Sequence, residues 1–277
     1  MTMKLTWFGH SAFRIEYANA VVMLDPFLAN PTFKGDAKAA YRGATHVVLT
    51  HGHADHIGST VEISKATGAT VVANPEVCDF LAEQGVAKLE PINHGGELHF
   101  GDLSVAYVPA WHSSSDDGAS GDGRYLGNPG GVVLGGKTEK SLYAAGDTGI
   151  FGDMRLIHDI YTPKIGIIPV GDRFTMGGRL AAIACRRFFD FETVIPCHYA
   201  TFGLLEATPD KFIEEMKGAA AKVLVPERGA AVELGLTGGT AGGASCAGRP
   251  AHANRWRPAR RGTPRPSAYS GRRPRRC

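Results

Sequence analysis

Residues 50–56 read Thr50-His51-Gly52-His53-Ala54-Asp55-His56 and directly follow the apolar run Val47-Val48-Leu49. The stretch brings three imidazoles and one carboxylate into six positions, a density that neither a core nor a solvated surface requires. Imidazole together with carboxylate suits zinc, manganese or iron better than calcium or magnesium, which prefer mostly oxygen ligands. Gly52 and Ala54 are small and allow a tight turn. His51 and His53 can then face one ion while Asp55 and His56 face another. The sequence therefore predicts a metal site at the end of a strand.

Three further residues of ligand type come immediately after apolar strands, as His51 does: His112, Asp147 and His198. Any one of them alone would be typical of a capped or solvated residue. Side chains at the ends of separate strands can converge on one edge of a sheet, which is where rigid scaffolds usually carry their active sites. Together with the histidine cluster, the pattern indicates one shared site.

Apolar periodicity and turn residues predict an α/β protein. Strands are expected at 4–8, 12–17, 20–24, 45–49, 69–73, 89–92, 97–100, 103–109, 132–134, 141–145, 165–170, 193–196, 223–225 and 231–234. Helices are expected at 57–66, 75–84, 153–160, 180–189 and 211–220. The polar segments 28–42 and 113–131 are interpreted as surface loops beside the site, the second with too little apolar content to enter a core.

The order of these motifs resembles the metallo-β-lactamase superfamily, whose fold is a four-layer αββα sandwich. The segments Trp7-Phe8-Gly9-His10-Ser11, Leu24-Asp25-Pro26-Phe27, Gly146-Asp147-Thr148-Gly149 and Cys197-His198-Tyr199 narrow the match. They resemble metal-dependent hydrolases related to L-ascorbate-6-phosphate lactonase. The resemblance covers roughly residues 3–236, so residues 1–236 are expected to form one hydrolase domain.

The resemblance implies two divalent transition-metal ions, zinc in the first instance, with manganese or iron as alternatives. It assigns His51, His53 and His112 to the first ion, Asp55, His56 and His198 to the second, and Asp147 to a bridge between them. A hydroxide held between two such ions is a nucleophile at neutral pH, which implies a hydrolase acting on a small anionic ester or lactone.

Other residues are expected to support this chemistry. Asp55 and Asp147 are expected to be catalytic as well as ligating. His10 is either a proton donor or oxyanion partner, or the maker of a structural hydrogen bond. Asp25 is interpreted as a support that accepts a hydrogen bond from the histidine loop, or else as a turn cap. Arg14, Lys34 and Arg173 are candidate partners for a substrate anion, with surface charge as the alternative for each. The loop after His112 offers further candidates for substrate contact, with a solvated loop as the alternative: Asp116, Asp117, Asp122 and Arg124.

The charge is unevenly distributed along the chain. Residues 237–277 hold ten of the 30 basic residues and no acid, which leaves 20 basic against 27 acidic residues before them. This segment is predicted to be disordered because it has almost no apolar periodicity. It is either an Arg-rich RNA-binding arm or a non-functional extension. A nuclease or phosphodiesterase acting on nucleic acid is therefore the alternative function, which the acidic body makes less favoured.

The cysteine content and the lack of long apolar stretches indicate the compartment and the partners that are expected for this protein. Five cysteines without a Cys-x-x-Cys pair argue against a disulfide framework, so a reducing, cytoplasmic location is expected. No stretch approaches the roughly 20 apolar residues that a membrane span needs. The expected partner is a small anionic substrate rather than a membrane or a nucleic acid, and a homo-oligomer is left open.

Overall fold

The computed structural model describes residues 2–17, 19–116, 123–136 and 140–235 of the 277-residue chain. The strands are β1 (Thr2–Trp7), β2 (Phe13–Tyr17), β3 (Ala20–Leu24), β4 (His46–Val48), β5 (Thr70–Ala73), β6 (Leu89–Pro91), β7 (Glu97–Phe100), β8 (Leu103–Pro109), β9 (Ser115–Asp116), β10 (Arg124–Tyr125), β11 (Gly130–Gly135), β12 (Leu142–Ala144), β13 (Ile165–Pro169), β14 (Thr193–Cys197), β15 (Lys222–Val223) and β16 (Ala231–Gly235). The helices are α1 (Ala37–Ala40), α2 (Ala54–Ile57), α3 (Thr60–Thr67), α4 (Pro75–Glu83), α5 (Met154–Tyr161), α6 (Gly178–Phe188) and α7 (Asp210–Glu215).

Two large sheets carry almost all of the strands. The first has the order β16-β1-β2-β3-β4-β5-β6 and the second the order β15-β14-β13-β12-β11-β8-β7. In the first sheet, β1 and β3 flank the antiparallel β2, and β4 is parallel to β3, so β1, β3 and β4 all run in the same direction. In the second sheet, β8 and β12 flank the antiparallel β11, and β13 and β14 are parallel to β12. Each sheet therefore collects several strand carboxyl ends along one edge.

Alternating burial builds the layers. Along β3, Val22 and Leu24 belong to a core shared with the second sheet, while Met23 belongs to a core with α1–α4. The shared core also includes residues of α5, α6 and α7, such as Met154 and Phe212, which cover the second sheet. The layers run helices, sheet, sheet, helices, so the predicted αββα sandwich is confirmed. Among the described residues, no helix combines the length and the apolar character needed to cross a membrane.

The segment after the histidine cluster differs from the single helix predicted over 57–66. It forms two short helices, α2 and α3, separated at Gly58. Gly58 has φ +45°, and a Cβ at this position would lie 2.6 Å from the carbonyl oxygen of Pro26. The close contact with the chain after β3 ends α2, which begins inside the cluster, at Ala54.

Several other predictions need correction. The segment 113–131 is not a loop without core residues, because it contains the β9–β10 pair and its Leu126 is fully buried. The segment 28–42 contains the short helix α1, whose N-cap Asp36 accepts a hydrogen bond from Lys38 N. The last predicted helix, 211–220, is shorter than expected and ends at Glu215. By contrast, α4 begins after Asn74 as predicted, with the Asn74 side chain accepting from Val77 N.

Candidate metal centre

Three histidines form the first group of ligand-type residues. The Nε2 atom of His51 lies 3.0 Å from Nδ1 of His53. The ring of His112 lies 5.2 Å from that of His51 and 5.1 Å from that of His53, measured between centroids. One nitrogen from each of the three falls within 4.8 Å of the others, which is close enough for one cation to contact all three.

A second group lies beside the first and combines one carboxylate with imidazoles. Ligand atoms of Asp55, His56, His198 and His10 lie within 4.8 Å of one another. The rings of His56 and His198 are 5.9 Å apart between centroids, and the His10 ring lies 4.0 Å from that of His198, tilted by 42°. The structure thus brings together the three residues that the family resemblance assigns to a second ion, and it places His10 beside them.

Asp147 lies between the two groups. Its Oδ1 is 3.3 Å from Nε2 of His56, and its Oδ2 is 2.8 Å from Nε2 of His198 and 3.7 Å from Nε2 of His112. One carboxylate therefore faces histidines of both groups. All seven residues predicted as ligands converge on one cluster.

Strand direction explains the convergence. His51 follows β4, His112 follows β8, Asp147 follows β12 and His198 follows β14, so all four leave strands at a carboxyl end. Gly146, before Asp147, has φ +62°, and a Cβ there would lie 2.7 Å from the carbonyl oxygen of Gly130. The same Cβ would lie 2.9 Å from Cβ of Thr50, next to His51, so glycine at this position allows the Asp147 loop to lie against the His51 loop of the first sheet.

Hydrogen bonds outside the cluster determine which ring nitrogens face it. Asp25 Oδ2 lies 2.8 Å from Nδ1 of His56, so the Nε2 atom points inward. The Thr50 hydroxyl donates to Asp25 at 2.7 Å and lies 3.0 Å from Nδ1 of His51. Because the hydrogen of that hydroxyl points at Asp25, the hydroxyl oxygen accepts a hydrogen bond from Nδ1–H of His51. Nε2 of His51, which faces the cluster, then keeps its lone pair. The hydrogen bonds predicted from the histidine loop to Asp25 are present.

Unpaired buried atoms test whether a cation fits. Nε2 of His56 and Oδ1 of Asp147 are both buried, and neither has a hydrogen-bond partner among the described residues. Buried polar atoms are normally satisfied, so an orphaned imidazole nitrogen facing an orphaned carboxylate oxygen fits a site for a cation. The donor set is nitrogen-rich with carboxylates, which matches zinc, manganese or iron.

Burial and charge perturb the pKa values of these groups. Burial lowers the pKa of His51 and of His112, and lowers that of His10 to about 4. Burial alone would lower the pKa of His56 as well, but Asp147 and Asp25 raise it well above its usual range. Burial alone would raise the pKa of Asp147, but His198 and His56 hold that pKa well below its usual range. The carboxylate is thus ionised and a positive charge is favoured beside it.

Several expectations about the surroundings are corrected. Arg14 and Lys34 line a pocket of about 630 Å³ on the outer face of the first sheet, and none of the seven ligand-type residues lines it. Arg124 pairs with Glu83, whereas Asp117 and Asp122, the neighbouring candidates for substrate contact, lie outside the described residues.

Arg173 is the remaining candidate for the substrate anion, and it lies on the loop 171–177. That loop hydrogen-bonds to the Asp147 loop through Met176 N and Thr148 O, at 3.1 Å. Arg173 has φ 57°, a left-handed conformation that is uncommon for a residue with a side chain.

Aromatic side chains near the site were missed by the sequence reasoning. Trp111 precedes His112 and is 71% exposed, Phe174 on the loop 171–177 is 52% exposed, and Phe202 is 41% exposed with its ring 5.5 Å from that of His10. No periodic pattern in the sequence marks any of the three. Thr201 was missed for the same reason.

Known proteins resemble this chain in sequence and in fold. The family model described as "Beta-lactamase superfamily domain" matches residues 19–225. A "UPF0173 metal-dependent hydrolase" of Chelativorans sp. (strain BNC1) is 52% identical over 235 residues, covering 84% of this chain and all of the relative. A protein described in the same words from Methylocella silvestris is 54% identical over 228 residues, covering 82% of this chain and 98% of the relative.

Solved structures of other proteins share this fold. Igni18, a metallo hydrolase from Ignicoccus hospitalis, is 34% identical with a TM-score of 0.76, covering 85% of this chain and all of that one. An isothiocyanate hydrolase from Delia radicum gut bacteria shares the fold, at 21% identity and a TM-score of 0.68, with 83% and 98% of the two chains covered. With the sandwich, the histidine–aspartate cluster and relatives of this identity, the chain belongs to the UPF0173 metal-dependent hydrolases of the β-lactamase superfamily.

Proposed function

We propose that this chain is a binuclear metal-dependent hydrolase acting on a small anionic ester or lactone. The observation that carries the proposal is the position of Asp147, whose carboxylate oxygens lie 3.3 Å from Nε2 of His56 and 2.8 Å from Nε2 of His198 in the second group, and 3.7 Å from Nε2 of His112 in the first. A carboxylate shared by two cations offsets their mutual repulsion. A single-ion site would not need such a residue between two separate groups of histidines.

In this proposal, His51, His53 and His112 would hold one divalent ion, Asp55, His56 and His198 would hold the other, and Asp147 would be shared between them. When bound, such ions polarise a carbonyl or phosphoryl oxygen and lower the pKa of water from 15.7 to about 7, which supplies a nucleophile at neutral pH. Zinc is the first choice, and manganese or iron suits the same donors.

The residues of the chain itself orient the reaction. His51, His56, Asp147 and His198 are buried, whereas His53, Asp55 and His112 are partly exposed. Substrate therefore approaches from the side of the partly exposed three. His10 has no exposed surface, so it can reach substrate only through Asp55, to which its Nε2 lies at 3.0 Å.

Charge supports an anionic substrate. Two divalent cations bring +4, and among the seven ligand residues only Asp55 and Asp147 carry charge, so the centre remains positive even with one hydroxide. Phosphate or carboxylate groups are attracted to such a centre. Arg173, on the loop beside Thr148, is the candidate partner for the anion, and the exposed Trp111 and Phe202 can contact a small apolar part of the substrate.

A substrate panel tests the proposal. The metal-loaded protein is assayed with lactones that carry or lack a phosphate, with bis-p-nitrophenyl phosphate and with a β-lactam. Turnover is expected to be fastest with an anionic lactone or phosphate ester. Faster turnover of the neutral lactones and the β-lactam than of every anionic compound would contradict it. Replacing Arg173 with Gln should raise KM for the anionic compounds and leave KM for the neutral ones unchanged.

A further inference from the structure

His10 is held rigidly in a turn at the end of β1. Its φ is 50°, and its carbonyl oxygen accepts hydrogen bonds from Trp7 Nε1 at 2.9 Å and from His198 N at 3.1 Å. Its ring lies 4.0 Å from the ring of His198 and is fully buried. A left-handed backbone is unfavourable for a residue with a side chain, and it persists where the surrounding contacts impose it. The turn therefore presents the His10 ring in one orientation.

Both ring nitrogens of His10 have a partner. Nε2 lies 3.0 Å from Oδ2 of Asp55, and Nδ1 lies 3.0 Å from Oγ1 of Thr201. An ionised carboxylate can only accept, so Nε2 carries the proton. In a neutral imidazole the other nitrogen is then an acceptor, so the hydroxyl of Thr201 donates to Nδ1. The Tyr199 carbonyl, the competing acceptor for that hydroxyl, is farther from it, at 3.2 Å.

Other side chains of the cluster have comparable supports. Asp25 holds His56, and Thr50 lies against the outer nitrogen of His51. Asp55 is partly exposed in the first turn of the four-residue helix α2. Within the part of the chain that the structure describes, its side chain forms a hydrogen bond with His10. Carboxylates that ligate metals are usually hydrogen-bonded in turn, and losing such a support typically costs 10–100-fold in metal affinity.

We propose that Thr201, His10 and Asp55 form a hydrogen-bond chain in which His10 is a positioning residue for Asp55 rather than a metal ligand or a proton donor to substrate. Thr201 selects the tautomer that places the proton on Nε2. His10 then fixes the carboxylate orientation required at the second ion. This inference rests on the binuclear function proposed above and adds two residues that control one of its two ion sites.

Four variants test the chain: Thr201→Val, which removes the hydroxyl at nearly constant volume, and Thr201→Ser, which keeps it, together with His10→Ala and His10→Gln. The Gln amide can replace the Nε2–H donor. Metal equivalents are measured after loading with zinc, and the affinity of each ion is measured by chelator competition. Cobalt-loaded samples are compared by visible absorption, which reports changes in the ligand set, and thermal melting monitors folding.

Thr201→Val and His10→Ala are expected to retain the first ion and to bind the second about 10–100-fold more weakly. Thr201→Ser and His10→Gln are expected to stay within a few-fold of wild type, with the cobalt spectrum unchanged. If Thr201→Val binds both ions like wild type, the chain has no positioning role and the inference fails. If His10→Gln loses the second ion as completely as His10→Ala and alters the cobalt spectrum, His10 is a ligand and the inference fails.

The Thr201 pair keeps the test valid if His10→Ala does not fold. Wild-type protein that binds a single ion would contradict the binuclear function itself, and with it the role assigned to His10. Two ions in wild type with unaffected variants would contradict the positioning chain alone.

Discussion

Asp25 and His56 form a buried hydrogen-bonded pair, with 2.8 Å between Oδ2 of the aspartate and Nδ1 of the histidine. The contact directs the opposite ring nitrogen of His56 toward Asp147, at 3.3 Å. Asp25 accepts further hydrogen bonds from the backbone N and the hydroxyl of Thr50, at 2.8 and 2.7 Å. One carboxylate thereby connects the end of β3 with both ends of the histidine loop.

Replacing Asp25 with Asn should therefore weaken metal binding without removing a ligand. An amide cannot accept as many hydrogen bonds as a carboxylate, and it places a donor group beside either Thr50 or His56. A loss of about 10–100-fold in affinity for the ion held by His56 is expected, as is typical of residues that support a ligand. Chelator competition measures it, and Asp36→Asn, at the exposed cap of α1, is a matched control that should leave affinity unchanged.

Replacing His51 and His53 together with Ala should remove about one metal equivalent. Both histidines belong to the first group, and Nε2 of one lies 3.0 Å from Nδ1 of the other. Elemental analysis of purified, zinc-loaded protein should give about two ions for wild type and about one for the double variant. Retention of both ions by the double variant would show that the assignment of this group is wrong.

Asp147→Asn should greatly reduce turnover while the protein still folds. An amide is a poor bridge between two cations, so the loss of activity should exceed the roughly 10–100-fold cost of losing a supporting residue. The thermal transition measured with metal present should persist. If the variant retains substantial activity, Asp147 is not shared between the two ions.

Metal-free protein should show a pH dependence that arises from His56. Asp147 and Asp25 raise its folded pKa above the ordinary value of 6.5. The resulting stability is fully present below pH 6.5 and is lost as the pH rises through the folded pKa. The free energy of unfolding in urea, measured without metal, should therefore be larger for wild type than for His56→Gln, and the difference should be larger at pH 6 than at pH 9.

Adding zinc should reverse this trend, because the metal must displace the proton from His56 and its affinity rises with pH. The stabilisation of wild type by zinc should be larger at pH 8 than at pH 6. A metal-free difference between wild type and His56→Gln that grows with pH would contradict the assigned role of the two carboxylates.

Deleting residues 237–277 should leave the melting temperature and hydrolysis unchanged. These residues and the disorder predicted for them lie outside the part of the chain that the structure describes. Retention on heparin, compared between full-length and truncated protein, tests the alternative of a nucleic-acid-directed enzyme. Retention that survives truncation would favour that alternative, and a loss of several degrees in melting temperature would show that the segment packs on the body.

Much of the fold could be predicted because its signals are local. The strand 20–24 is confirmed at its predicted limits, and α4 begins after Asn74 with Pro75 at its first position. Such elements depend on apolar alternation and on capping side chains within a few residues of one another. The seven ligand-type residues could be predicted for a related reason, since each adjoins a strand end or the motif that follows one.

The contacts that surround these residues are determined by the tertiary structure and could not be predicted from the sequence. His10 and Thr201 are 191 positions apart, and Arg14, one of the candidate partners for a substrate anion, lies on the outer face of the first sheet. Gly58 divides a predicted helix because Pro26 approaches it, and Leu126 is buried because it packs on Gly52. None of these contacts leaves a periodic pattern in the sequence. Each depends on how closely segments from distant parts of the chain approach one another once the two sheets have packed.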